Sequence, residues 1–165
     1  MNATNIQWTW RGRIAYGEAL EQQRAHRAQV IEGSEPEVLW LLEHPPVITV
    51  GRRPAPDTPT AADCRQMGLD YYQVERGGLA TYHGPGQLIV YAIVQAAQRG
   101  LGVRGMVHAM ESSIIDWLAH LDIPANRHPQ HPGVWVGNEK ICALGLHFRR
   151  GVSMHGLALN LSPDL

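Results

Sequence analysis

Of the 165 residues only two are cysteine and one is phenylalanine. Two thiols do not make a disulfide framework, so ordinary apolar packing must supply the core, and a reducing compartment is the simpler inference. No apolar run approaches the length that spans a bilayer. Met1 to Tyr16, which contains Trp8, Arg11 and Arg13, has no continuous apolar core of the kind a secretory signal needs. A cytoplasmic location without a membrane partner is therefore expected. Charge of one sign is also missing: 14 Lys and Arg stand against 15 Asp and Glu, a net charge of −1, which gives no electrostatic footprint for nucleic acid. Neither common phosphate loop occurs, G-x-x-x-x-G-K-[ST] or a strand followed by G-x-G-x-x-G and a helix. Internal repeats, linkers and low-complexity stretches are absent as well, so residues 1–165 are expected to form one domain.

What the chain does contain is concentrated in Arg76 to Leu88, R-G-G-L-A-T-Y-H-G-P-G-Q-L. A surface turn needs one or two special backbone positions, whereas this segment specifies a cation, a hydroxyl, an imidazole and an amide among its glycines. The apolar run Leu88 to Val94 follows and reads as a buried strand that anchors the polar segment to the core.

Elsewhere, Tyr16 to Ile31 reads as a mostly solvent-facing helix stopped by Gly33. Val38 to Glu43, Val47 to Gly51 and Tyr71 to Glu75 read as strands, with an irregular loop from Arg53 to Asp63. Val107, Met110, Ile114, Trp117 and Leu121 recur at helical spacing and are expected to form one buried face. Gly133 to Gly137, Lys140 to Arg149 and Ser153 to Leu161 have strand character and are joined by hairpin signals. Clustered hairpins with a few helices point to an α+β fold with a mixed or antiparallel sheet. His128 and His131 lie in a proline-rich loop without the further ligands a metal site requires, so no metal is expected. Cys142 sits in an apolar strand and reads as a small buried hydrophobe, and Cys64 as a partly exposed bystander.

The segment R-G-G-x-x-T-Y-H-G-P-G-Q-L is followed in order by Gly133-Val134-Trp135-Val136, Lys140-Ile141, Leu144-Gly145 and His155-Gly156-Leu157-Ala158-Leu159-Asn160, and preceded by Leu42-Glu43-His44-Pro45-Pro46-Val47-Ile48-Thr49-Val50-Gly51-Arg52. Over nearly the whole chain this series resembles the octanoyltransferases of lipoate biosynthesis. The resemblance implies the fold of the biotin protein ligase and lipoate ligase catalytic domains, with helices packed on a curved mixed sheet. It implies transfer of an octanoyl or lipoyl group from acyl carrier protein to a lysine of lipoyl domains, those of 2-oxoacid dehydrogenases and of the glycine cleavage H protein. The acyl group passes through a cysteine thioester, and no cofactor is implied.

Carried over residue by residue, the resemblance implies a substrate pocket made by Arg76, Gly77, Gly78, Leu79, Ala80, Thr81, Tyr82 and His83, by Ala143, Leu144 and Gly145, and by Gly156, Leu157 and Ala158. Lys140 is the implied catalytic residue: its ammonium favours the thiolate, and in neutral form it accepts the proton of the attacking amine. Backbone N–H groups around Gly77, Gly78 and Gly145 are the candidate oxyanion donors. The nucleophilic cysteine of the family lies in a Pro-Cys-Gly segment expected about nine residues beyond Leu165, by motif spacing. The domain therefore reads as lacking its C-terminal segment, and the chain as inactive in covalent catalysis by itself. Two other readings stay open: an ATP-dependent lipoate or biotin ligase on the same fold, and a non-catalytic acyl- or carrier-binding protein.

Overall fold

The computed structural model describes residues 6–163. Its elements are β1 (Gln7–Arg13), α1 (Tyr16–Glu32), β2 (Val38–Glu43), β3 (Val47–Val50), α2 (Ala61–Gln66), β4 (Asp70–Gln73), β5 (Ala80–His83), β6 (Gln87–Ile93), α3 (Val103–Ala119), β7 (Asn126–Arg127), β8 (Val134–Val136), β9 (Glu139–Arg149) and β10 (Val152–Asn160). A seven-stranded sheet has the order β1-β2-β6-β10-β9-β8-β7, and a three-stranded sheet the order β4-β3-β5. Parallel pairs (β1 with β2, β3 with β4) and antiparallel pairs coexist, so the fold is α+β with mixed sheets, as the hairpin signals indicated.

Side-chain alternation sorts the core into two layers on either face of the large sheet. Val38, Trp40 and Leu42 of β2, with Ile89, Tyr91 and Ile93 of β6, pack against Ala19 and Val30 of α1. On the opposite face Ala92, Val94, Cys142, Leu146, Leu157 and Leu159 meet Met106, Met110 and Leu118 of α3. β6 thus buries residues on both faces, which explains its unbroken apolar run.

Four sequence expectations need correction. The helix expected to face mostly solvent buries Tyr16, Ala19, Leu20, Gln23, Arg27 and Val30; two polar residues within that stripe hid it from a hydrophobicity pattern. On α3 the expected face holds for Met110, with Val107 and Ile114 partly buried against the same cluster, but it is completed by Met106 and Leu118, while Trp117 is 43% exposed and Leu121, beyond the helix end, 52%. The stretch read as irregular ends in α2, started by a capping box in which Thr60 Oγ1 accepts from Asp63 N–H and Asp63 Oδ2 accepts from Thr60 N–H. That helix buries Cys64 completely, against the expected partial exposure. β1 was not foreseen either; its Trp8 and Trp10 are 67% and 53% exposed on an edge strand, outside any inward-facing alternation.

Candidate functional site

The glycine-rich segment is only partly a loop. Ala80–His83 forms β5 and pairs antiparallel with β3, placing Thr81 opposite Thr49 and Tyr82 opposite Ile48. Residues 76–79 fold back so closely on the end of β3 that a Cβ on Gly51 would stand 2.2 Å from Gly78 O. Only glycine at position 51 allows that approach.

Arg76, 6% exposed, fixes the segment from inside. Its Nη2 donates to Thr49 O and Thr49 Oγ1, both at 2.8 Å, and to Thr81 Oγ1 at 3.0 Å, while Nη1 donates to Gly77 O at 3.0 Å. Burial pulls its pKa down from the ordinary guanidinium value. The cation is satisfied by neutral oxygens, and among the described residues it has no carboxylate partner.

The facing wall is β9. Arg76, Gly77, Gly78, Leu79, Ala80 and Thr81 on one side, and Lys140, Ala143, Leu144 and Gly145 on the other, line a cavity of about 430 Å³ that Val103, Val107, His131 and Pro132 close. That volume lies in the range of small-ligand sites. A second, inner space of about 30 Å³ shares Arg76, Thr81 and Ala143–Gly145 with it and adds His83, Gly156, Leu157 and Ala158. The segments 143–145 and 156–158 are direct cross-strand neighbours, Ala143 opposite Ala158 and Gly145 opposite Gly156. Tyr82 lines neither space; its hydroxyl lies over Gly84. Leu157 also belongs to the cluster under α3. Gly77 N–H donates to Leu146 O at 3.1 Å, so it is already engaged and does not serve as an oxyanion donor. Gly78 N–H has no backbone partner among the described residues and remains available for that role.

Lys140, the one lysine of the sequence, stands at the rim with its Nζ 4.9 Å from the centre of the Trp135 ring. Partial burial lowers its pKa, which favours the neutral amine that a proton acceptor requires. Its stem lies against Gly133, whose φ is +136° and where a Cβ would meet Cys142 O at 2.6 Å and the lysine stem at 3.2 Å. Gly133 N–H donates to Glu111 Oε1 at 2.9 Å, and Arg127 pairs with Glu111 Oε2 at 3.0 Å. The buried Glu111 of α3 thus ties down the loop that carries His128 and His131. Those two histidines pack on one another and on Trp135. Among the described residues no group of three or more His, Cys, Asp or Glu is placed to hold a metal.

Behind the inner space lies a buried polar layer. His44 Nδ1 is 2.7 Å from Ile14 O, which can only accept, so the proton is on Nδ1 and Nε2 accepts from Tyr91 OH at 2.7 Å. Gln87 Nε2 donates to Asn160 Oδ1 at 2.8 Å, which leaves Gln87 Oε1 to accept from His83 Nδ1–H at 2.7 Å. Burial lowers the pKa of His83 and of His155 to about 3, and raises that of Tyr16 to about 12. His155 holds a left-handed φ of 62° within β10, and its buried Nε2 has no hydrogen-bond partner among the described residues. Gln87 supplies the amide noted in the glycine-rich segment, whereas Thr49, His44 and Glu111 were not singled out as site residues from sequence; the available signal was a polar residue inside an apolar run. Cys142 is fully buried with its thiol pKa pushed up to about 12 by burial, the reverse of an activated nucleophile.

Residues 15–165 match the family described as the lipoyl protein ligase A/B catalytic domain. The octanoyltransferase of Novosphingobium aromaticivorans is 41% identical over 157 residues, covering 92% of this chain and 68% of that protein. The octanoyltransferase of Nitratidesulfovibrio vulgaris is 44% identical over 156 residues, covering 93% and 71%. Among solved structures, a lipoate-protein ligase A bound with ATP superposes with a TM-score of 0.73 at 14% identity, over 98% of this chain and 68% of that one. A biotin acetyl coenzyme A carboxylase synthetase from Helicobacter pylori gives 0.59 at 9% identity, over 97% and 63%. At these identities the structural likeness speaks for the fold, and the sequence relatives carry the assignment: the chain belongs to the octanoyltransferases of the lipoyl protein ligase A/B catalytic domain family.

Proposed function

We propose that this acyltransferase moves an octanoyl group from an acyl carrier protein to a lysine of lipoyl domains, in the cytoplasm, as a single catalytic domain. The observation that supports this best is the cavity between residues 76–81 and β9, with Lys140 at its rim. In the first half-reaction a cysteine thiolate attacks the thioester carbonyl of the donor; a new thioester forms and the carrier thiol leaves. In the second, the amine of the target lysine attacks, the cysteine thiolate departs, and the amine proton passes to neutral Lys140 as the amide forms. Gly78 N–H is the favoured oxyanion donor. Cys64 and Cys142 are both buried and do not supply the nucleophile, which the family places downstream of Asn160.

The test is octanoylation of an apo lipoyl domain from octanoyl-loaded acyl carrier protein by the protein extended through the downstream cysteine, followed by intact mass. Modification that proceeds without ATP supports the transferase. Modification only from free octanoate with ATP would turn the reading to a ligase, a mode that relatives named octanoyltransferase do not favour.

A further inference from the structure

Although the chain as a whole is close to neutral, its arginines are unevenly placed. A polar hollow of about 380 Å³ between α1 and the β9–β10 turn is lined by Arg24, Arg27, Arg149 and Arg150, against Glu32 and Glu75. Arg27 is only 5% exposed, and its Nη1 lies 2.9 Å from His147 Nδ1, which accepts from it. Arg24 is neutralised by Glu75 at 2.9 Å. Arg149 and Arg150 have no hydrogen-bonded or ion-paired side chain among the described residues. The backbone carries this face on to Arg52: Gly77 N–H donates to Leu146 O, next to His147, at 3.1 Å, and Arg52 N–H donates to Arg76 O at 3.3 Å. Arg52 and Arg53 in turn line a hollow with Arg76, Gly77, Gly78 and Leu79, the wall of the acyl cavity.

We propose that this arginine face docks an acidic protein, the donor that carries the acyl thioester on an extended prosthetic arm. The proposal rests on the acyl-transfer reading and deepens it by giving the donor a place to sit. Its charge fits an acidic surface, and exposed guanidinium groups without partners steer such a surface with little desolvation cost. Geometry separates donor from acceptor. Lys140 and Arg149 are nine residues apart on β9, about 30 Å at the usual strand rise. An acceptor lysine reaches its target on a four-carbon stem, so the acceptor body must sit at the Lys140 rim. Only a partner with a long arm covers both the arginine face and the reacting end of the cavity.

Binding of octanoyl-loaded acyl carrier protein and, separately, of octanoyl amide would be measured by calorimetry. The proteins compared are the parent chain, the double variant Arg53→Glu with Arg149→Glu, and a control with the same charge change elsewhere, Arg65→Glu with Arg104→Glu. The parent should bind the carrier, and its affinity should fall about tenfold or more between about 50 mM and about 300 mM salt. At low salt the double variant should bind about tenfold more weakly than the control, with octanoyl amide binding equal in all three. A double variant that binds the carrier as well as the control overturns the docking face, as does a parent that does not bind the carrier. Failure of the parent to bind octanoyl amide would instead count against the acyl cavity, whichever way the carrier result falls.

Discussion

Thr49 accepts from Arg76 twice through one nitrogen, Nη2 lying 2.8 Å from both its carbonyl and its hydroxyl oxygen. The hydroxyl cannot be replaced by a methyl of the same shape without leaving a buried cation short of an acceptor. Thr49→Val is expected to destabilise the protein by about 1–3 kcal/mol, the cost of an unsatisfied buried group, while Thr49→Ser stays near the parent. Urea unfolding midpoints check this; equal midpoints for Val and Ser would remove Arg76 as the fastener of residues 76–81.

Lys140 carries two separable roles, and two substitutions divide them. In the protein extended through the downstream cysteine of the family, Lys140→Met removes the base and should lower octanoylation turnover about 10²-fold or more. Lys140→Arg keeps a cation that favours a neighbouring thiolate but cannot readily accept a proton, so it should retain more thioester formation than amide formation. Rapid-quench measurement of both half-reactions is the readout; parental rates in Lys140→Met would dismiss the lysine from the chemistry.

Stability should fall as pH is lowered from neutral. Above the unfolded histidine pKa of about 6.5, folded and unfolded chains both hold His83 and His155 neutral. Below it the unfolded chain takes up protons that the folded one refuses until its own value of about 3. Each group therefore lowers stability by about 1.4 kcal/mol per pH unit within that window. His44, also lowered by burial, acts with the same sign. Glu75, held down to about 2 by Arg24, contributes stability above its unfolded value and loses it only at lower pH. Denaturant midpoints between pH 7 and pH 5 should show the slope, and His83→Gln should flatten it; an unchanged slope in that variant would contradict the buried neutral imidazole.

Neither cysteine of this chain should trap the acyl group. Cys64 and Cys142 are both fully buried, and burial raises both thiol pKa values. Incubation with octanoyl carrier protein should leave the intact mass of the chain unchanged, and a thiol reagent should label both residues only after unfolding. A thioester mapped to Cys142 would overturn its assignment as packing.

The α+β arrangement was legible because β6, β9 and β10 carry short continuous apolar runs of strand length, β9 and β10 being punctuated by Arg150-Gly151 and Gly137-Asn138. The helix faces were less so. Gln23 and Arg27 are buried by α1 for their hydrogen bonds, which hydropathy does not register. On α3, rows three and four residues apart are both helical, and only packing shows that the face centred on Met110 turns toward Met106 and Leu118 and away from Trp117. The cavity segments could be carried over from the family, but their fastenings could not. Thr49, Glu111 and Gly133 act through partners 27, 22 and 7 residues away, distances at which spacing says nothing about contact.

One wall of the cavity comes from the three-stranded sheet and the other from the seven-stranded one, and Gly77 N–H to Leu146 O is the backbone hydrogen bond that spans them among the described residues. The walls belong to separate hydrogen-bonded bodies, so the gap between them can widen by a rigid shift of the smaller sheet without breaking any strand pairing. An incoming acyl chain would then work against that backbone bond and against the His83 Nδ1–H to Gln87 Oε1 bond between β5 and β6, and closing the backbone bond again would act as a latch over the bound tail.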